Sequence, residues 1–170
     1  DLQEGEERMF RTFSYAAAAV AVVGSVAVAA PAQAAQERPQ GQHCVVTTDG
    51  RSLGCYASLA DADRAGSTER APLLVLARLF DRTGWDGRGA TLTIKASRAC
   101  TTSTANLDLG MTNLAAFGFD NKTSSFYTRN HCDLKGYTGY SFGGTGFARY
   151  QDADQRLVKF NNNISSIKLS

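Results

Sequence analysis

Two seven-residue strings, Phe119-Asp-Asn-Lys-Thr-Ser-Ser125 and Phe160-Asn-Asn-Asn-Ile-Ser-Ser166, stand 41 residues apart in this chain. Each carries an aromatic, two Asx residues, a two-residue gap and a Ser-Ser pair. A second shared element precedes each of them. Phe80-Asp-Arg-Thr-Gly-Trp85-Asp-Gly87 and Tyr137-Thr-Gly-Tyr-Ser-Phe142-Gly-Gly144 both read aromatic-x4-aromatic-x-Gly. Repetition of both elements in the same order calls for two like structural halves. The glycine has a physical reason: a hairpin folded back on its sheet needs a positive φ or a close backbone approach there. The aromatic pair gives the fold-back something to pack on.

The segments between these motifs predict strands. LLVLARLF, ATLTIKA, SSFYT, RLVKF and SSIKLS are short, β-branched or aromatic, and often alternating, with Gly-, Asn- and Asp-rich turns between them. A sustained helical period is absent from residue 73 onward. In ATLTIKA, Leu92 and Ile94 point one way and Thr91, Thr93 and Lys95 the other. In the last strand Ile167 and Leu169 alternate with Ser166 and Lys168. Phe117, Phe119, Phe126 and Phe160 are the candidate core aromatics. The expectation is an all-β sandwich of two four-strand units packed as intertwined Greek keys.

Before residue 73 the texture differs. HCVVTTDGRSLGCY, residues 43–56, flanks Asp49-Gly50, a strong hairpin-turn signal, with short apolar runs. Cys44 and Cys55 then face each other across the hairpin. Ser58 starts a short helical pattern through Arg64, with Asp61 approximating a capping box, and Gly66 and Pro72 end it. The expected organisation is 1–34 as leader, 35–72 as an accessory segment with a loose polar lead-in, and 73–170 as the β domain.

The leader expectation rests on AAAAVAVVGSVAVAA, residues 16–30, which follows Arg8 and Arg11 and precedes Ala32-Gln33-Ala34. A basic stretch, a short apolar run and a small-x-small triplet describe a secretory signal cleaved after Ala34. The run is short for a membrane span, which needs about 20 residues. The acidic DLQEGEER fits no signal, so Met9 is the expected start. Residues 35–170 then hold 16 basic and 12 acidic residues. That mild balance without a Lys/Arg cluster gives nucleic-acid binding little support. All four cysteines, Cys44, Cys55, Cys100 and Cys132, fall after the leader. An even count in a secreted chain predicts two disulfides, and four cysteines allow three connectivities. No C-x-x-C spacing exists to suggest zinc.

The paired strings and corners resemble the Greek-key signature of the βγ-crystallin family. The second half, Tyr137 to Leu169, matches in order and spacing. The first, Phe80 to Phe126, matches at both ends and departs between them, where SRACTTSTANLDLG is a longer insertion carrying Cys100. The resemblance implies Cys44–Cys55 and Cys100–Cys132 pairing. It also implies two Ca²⁺ sites, each built across both loops. One loop gives the hydroxyl at the fifth position, Ser124 or Ser165. The other gives an Asx side chain, Asn121 or Asn162, and the following carbonyl, Lys122 or Asn163. Asp120 and Asn161 order the loops or add to the sites, and corner carbonyls of Asp81 and Thr138 complete the protein ligands. Ca²⁺ takes six to eight oxygen ligands, and affinity follows ligand charge. Asp120 is the single carboxylate among the four Asx, so weak sites of roughly 10⁻⁵–10⁻³ M are expected.

The expected protein is therefore a secreted monomer that binds calcium and is stabilised by it, with no membrane attachment after leader cleavage. A second class on the same fold is a protease inhibitor or antimicrobial toxin acting on an extracellular protein partner, with the Cys-flanked segment 100–114 as its exposed loop. Enzyme readings fare worse. Gly139-Tyr-Ser141-Phe-Gly143 matches G-x-S-x-G, but that motif needs a strand–turn–helix context and a later histidine. Only His43 and His131 exist, and both precede Ser141. His131 and Cys132 are adjacent, so in a strand they point to opposite faces.

Overall fold

The computed structural model describes residues 42–105 and 107–170. The leader, its cleavage triplet and Met9 lie outside the described residues. The elements run β1 (His43–Thr47), β2 (Ser52–Tyr56), α1 (Leu59–Arg64), β3 (Leu74–Phe80), β4 (Thr91–Ala96), β5 (Leu109–Met111), β6 (Ser125–Thr128), β7 (Leu134–Tyr137), β8 (Ala153–Asp154) and β9 (Ser166–Leu169). Among the described residues no helix is long and apolar enough to cross a membrane.

The strands form two sheets, in the orders β2-β1-β4-β3-β6-β8 and β5-β9-β7. The first half contributes β3, β4 and β6 to the large sheet but sends its third strand, β5, to pair with β9. The second half reciprocates: β7 and β9 pair in the small sheet, while β8 pairs with β6. Residues 146–151 run beside β7, bridging at Tyr137–Gly146 and Leu134–Gln151. This exchange of third strands makes two intertwined Greek keys in a β-sandwich.

Alternation places the core between the sheets. Leu92, Ile94, Ala77 and Leu79 from the large sheet meet Ile167, Leu169 and Leu134 from the small one. Phe126 and Phe119 are buried there, while Phe117 and Phe160 pack at its margin. Phe147 is a core aromatic outside the expected four; its ring stacks on Phe126 at 5.9 Å and meets Phe160 at 4.8 Å.

One expected strand is not a strand. RLVKF, residues 156–160, is a run of turns in which Leu157 is buried and Val158 is 81% exposed. Asp154 Oδ1 accepts the Arg156 N–H at 2.7 Å, and the Val158 N–H turns back onto Arg156 O at 2.8 Å. Side-chain competition for the backbone therefore ends the extended chain at β8.

The accessory segment belongs to the sandwich rather than standing beside it. β1 adds in parallel to β4, with Cys44 opposite Leu92 and Val46 opposite Ile94. β2 extends the sheet edge beyond β1, and α1 covers the outer face, where Val45, Ala62 and Ala65 form a second small core with Leu53 and Tyr56. Ser58 caps α1, accepting the Asp61 N–H at 3.2 Å and donating to Asp61 Oδ2 at 2.7 Å. Thr91, Thr93 and Lys95 thus face protein, not water. Lys95 Nζ donates to the carbonyls of Asp63 (2.7 Å) and Ala65 (2.6 Å) at the end of α1, a cation placed at a helix C-terminus. Arg78, buried beside it, donates to Thr93 Oγ1 at 2.9 Å and pairs with Asp63.

Both disulfides form as the resemblance implies, Cys44–Cys55 across the first hairpin and Cys100–Cys132 between the first-half insertion and the start of β7.

Candidate metal centre

The two aromatic corners fold back on their sheets through three-residue 3₁₀ turns at Thr83–Trp85 and Tyr140–Phe142. The last Ser of each loop string locks the corner. Ser125 Oγ donates to Arg82 O at 2.6 Å and accepts the Trp85 N–H at 3.1 Å. Ser166 Oγ does the same with Gly139 O at 2.5 Å and the Phe142 N–H at 3.0 Å. Trp85 and Phe142 are consequently held at positive φ, 58° and 63°. The two motif glycines are required for different reasons. Gly144 has φ +71° and a Cβ there would strike Thr138 Oγ1; Gly87 has no positive φ and is kept small by the Leu59 side chain of α1.

Backbone bonds tie each loop to the other half. The Asn121 N–H donates to Ile164 O at 3.0 Å, and the Asn162 N–H donates to Thr123 O at 2.9 Å. The Ser124 N–H donates to Phe80 O at 2.7 Å, and the Ser165 N–H to Tyr137 O at 2.9 Å. Leu157 and Leu114 return the linkage by donating to Ser124 O (3.0 Å) and Ser165 O (2.9 Å). Each fifth-position serine therefore sits next to the corner of its own half, at the root of Asp81 or Thr138, and across from the Asx pair of the other half. Asn121 and Asn162 both take the left-handed conformation, φ 53° and 52°, which Asn tolerates better than most residues.

The side chains follow this two-fold plan in part. Ser124, buried, donates its hydroxyl to Asn162 Oδ1 at 3.0 Å, which brings the fifth position of one loop onto the Asx of the other. Ser165 is equally buried. In the first loop Asn121 Nδ2 instead donates to Asp120 Oδ2 at 3.0 Å, and Lys122 Nζ donates to Gly118 O at 2.6 Å. Tyr140, in the second corner, also donates to Asp120 Oδ2, at 3.1 Å. That hydrogen bond raises the Tyr140 pKa above its ordinary value. Tyr140 is a site residue that the motif spacing did not single out; the signal was its place three residues after the first corner aromatic, where the other half has Thr83.

The donor set suits a hard cation. Two oxygens bound to one Ca²⁺ at about 2.3–2.6 Å in neighbouring positions lie about 3 Å apart, and Ser124 Oγ and Asn162 Oδ1 are 3.0 Å apart. Among the described residues, the buried side-chain oxygens without a hydrogen-bond partner are Asp81 Oδ1, Asp120 Oδ1 and Thr123 Oγ1. All three belong to the first loop or the first corner. A buried oxygen left unpaired is costly, and a cation would offset that cost. Among the described residues no three His, Cys, Asp or Glu side chains converge, so the donors available are amides, hydroxyls, carbonyls and few carboxylates.

The residues behind the other readings lie elsewhere. Ser141 sits in the second corner at φ 51°, with its N–H on Thr112 O at 2.8 Å. His43 is buried beside Thr91 on the large sheet, Nδ1 to Oγ1 3.0 Å. Cys132 is in its disulfide. Residues 101–105 are exposed, and Thr101 anchors that loop through its N–H (2.7 Å) and hydroxyl (2.9 Å) to Asp108 Oδ2.

No protein-family model and no curated protein matches the chain. Solved structures similar to it include the N-terminal domain of protein S, at 20% identity over 56% of this chain and 94% of that one, TM-score 0.41. A βγ-crystallin from Ciona intestinalis is similar at 15% identity over 55% and 98%, TM-score 0.41. Protein S complexed with calcium is similar at 20% identity over 57% and 49%, TM-score 0.40. By its own strand order, exchanged third strands and duplicated corner-and-loop motif, the chain has a fold similar to that of βγ-crystallin domains.

Proposed function

We propose that the chain is a secreted calcium-binding protein of the βγ-crystallin type, in which Ca²⁺ bridges the two halves and stabilises the sandwich. The Ser124–Asn162 contact between the loops carries this reading. One site would use Ser124, Asn162 and the carbonyls of Asn163 and Asp81. The other would use Ser165, Asn121 and the carbonyls of Lys122 and Thr138, with Asp120 and Asn161 beside the sites. When bound, the ion supplies charge and coordination that hold loop to corner; the protein supplies neutral oxygens on a rigid double-sheet frame. Sites with so little charge are weak, about 10⁻⁵–10⁻³ M, a range that suits the calcium-rich surroundings of a secreted chain. The signal-like pattern within residues 1–34, with Arg8 and Arg11 before the apolar run 16–30 and Ala32-Gln33-Ala34 after it, supports secretion, as do two disulfides, which persist in oxidising compartments.

Binding to the folded state alone raises stability with ligand concentration, by about 2.7 kcal/mol per site at a hundredfold excess over Kd. Calorimetry and melting curves with Ca²⁺ and with chelator test the proposal. Two weak binding events and a melting point that climbs with calcium are expected. Absence of both heat and melting shift overturns it.

A further inference from the structure

We propose that the two cation sites are unequal, because Asp120 presents a carboxylate oxygen to the site of the second corner and Tyr140 positions it there. This rests on the calcium reading above.

Asp120 belongs to the first loop, yet the hydroxyl that holds it belongs to the second corner. Asn121 and Lys122 lie in the same first loop and Thr138 in the same second corner, beside which Ser165 is held by its N–H on Tyr137 O at 2.9 Å. Both donors on the carboxylate, Asn121 Nδ2 and Tyr140 Oη, bind Oδ2. Oδ1 is buried and has no hydrogen-bond partner among the described residues. One oxygen is thus clamped from two sides and the other is left as an unneutralised acceptor, where a cation removes the cost of burial.

The other site has no such arrangement. Asn161, an amide, stands where the first loop has Asp120, and Thr83 stands where the second corner has Tyr140. Asp81, the carboxylate of the first corner, also keeps its Oδ1 buried and without a hydrogen-bond partner among the described residues, but that oxygen lies against Gly89 of the same corner. The difference is the clamp: Asp120 Oδ2 takes one donor from its own loop and one from the opposite corner. Affinity for Ca²⁺ follows ligand charge, so the site with Asp120 fills first.

The test is a calcium titration by calorimetry of the full chain and of Asp120→Asn, Tyr140→Phe and Asn161→Ala. Terbium luminescence, sensitised by tyrosine, provides a second readout. The unsubstituted chain is expected to show two separable events. Asp120→Asn should weaken the tighter by about tenfold or more, as expected when a ligand charge is lost, and leave the looser in place. Tyr140→Phe should weaken the tighter event alone and reduce the first-filling terbium emission, with an unchanged melting point in chelator. Asn161→Ala should affect only the looser event. Equal weakening of both events by Asp120→Asn, or of neither, overturns this inference and leaves calcium binding standing. No binding by the unsubstituted chain overturns both.

Discussion

Ser166 accepts the Phe142 N–H at 3.0 Å, and the first half repeats the bond between Ser125 and Trp85 at 3.1 Å. The last position of each loop string is therefore structural: its hydroxyl fastens the corner that overhangs the loop. Both serines are buried. Ser125→Ala or Ser166→Ala strands one N–H and one carbonyl, at a cost of about 1–3 kcal/mol. Urea unfolding in chelator should show losses of that size for each, since the two geometries match. A loss confined to one half would contradict the two-fold plan.

The fifth position differs from the sixth in kind. Ser124 aims its hydroxyl at the opposite loop, so Ser124→Arg should abolish one calcium-binding event, the looser, and Ser165→Arg the tighter. Calorimetric stoichiometry is the readout, with melting in chelator as the control for folding. Loss of both events from either substitution would mean that the loops bind as one site.

How much of this was visible in the sequence depends on how local the determining contacts are. Strands β3, β4, β6 and β9 follow from residues within each segment, and so does the cap of α1 by Ser58. The corner-and-loop repeat carried the rest of the sandwich, because each copy is contiguous. RLVKF misled because its apolar residues do not share a face: Leu157 enters the core and Val158 leaves it within one tight turn. The parallel addition of β1 to β4 is set by pairing 48 residues apart, as in His43 opposite Thr91, and leaves no local mark. Lys95 shows the same limit. Its place on the polar face of β4 is legible, but only the docked α1 makes that face an interior.

That interior contains a titrating group. His43 is buried with Thr91, and burial first, then the Arg78 guanidinium, pushes its pKa below 6.5, while Asp81 and Asp63 oppose the shift more weakly. The unfolded chain then binds a proton at a pH where the folded chain does not. Stability rises with pH across the window between the folded value and 6.5, and falls as pH drops through it. Melting followed from neutral pH into that window should decline, and His43→Gln should flatten the slope. An unchanged slope would assign the decline to other groups.

The two disulfides should separate under reduction. Cys55 is exposed on the edge strand β2, whereas Cys100 and Cys132 are both buried. Thiolate attack needs access to sulfur, so graded reductant should open Cys44–Cys55 first, read by alkylation and mass spectrometry. The loops closed are also unequal, with separations of 11 and 32 residues. Loop-closure entropy alone gives about 3 kcal/mol for the shorter and about 4 kcal/mol for the longer. Reduction should therefore proceed in two steps: a modest fall in melting point as the hairpin loosens at the sheet edge, then a larger one as the core bridge opens. Because the loops and corners lie beyond the first bridge, the singly reduced chain should still bind calcium with both events intact. Loss of binding at the first step would show that the accessory segment holds the first corner in place, through Leu59 packed on Gly87.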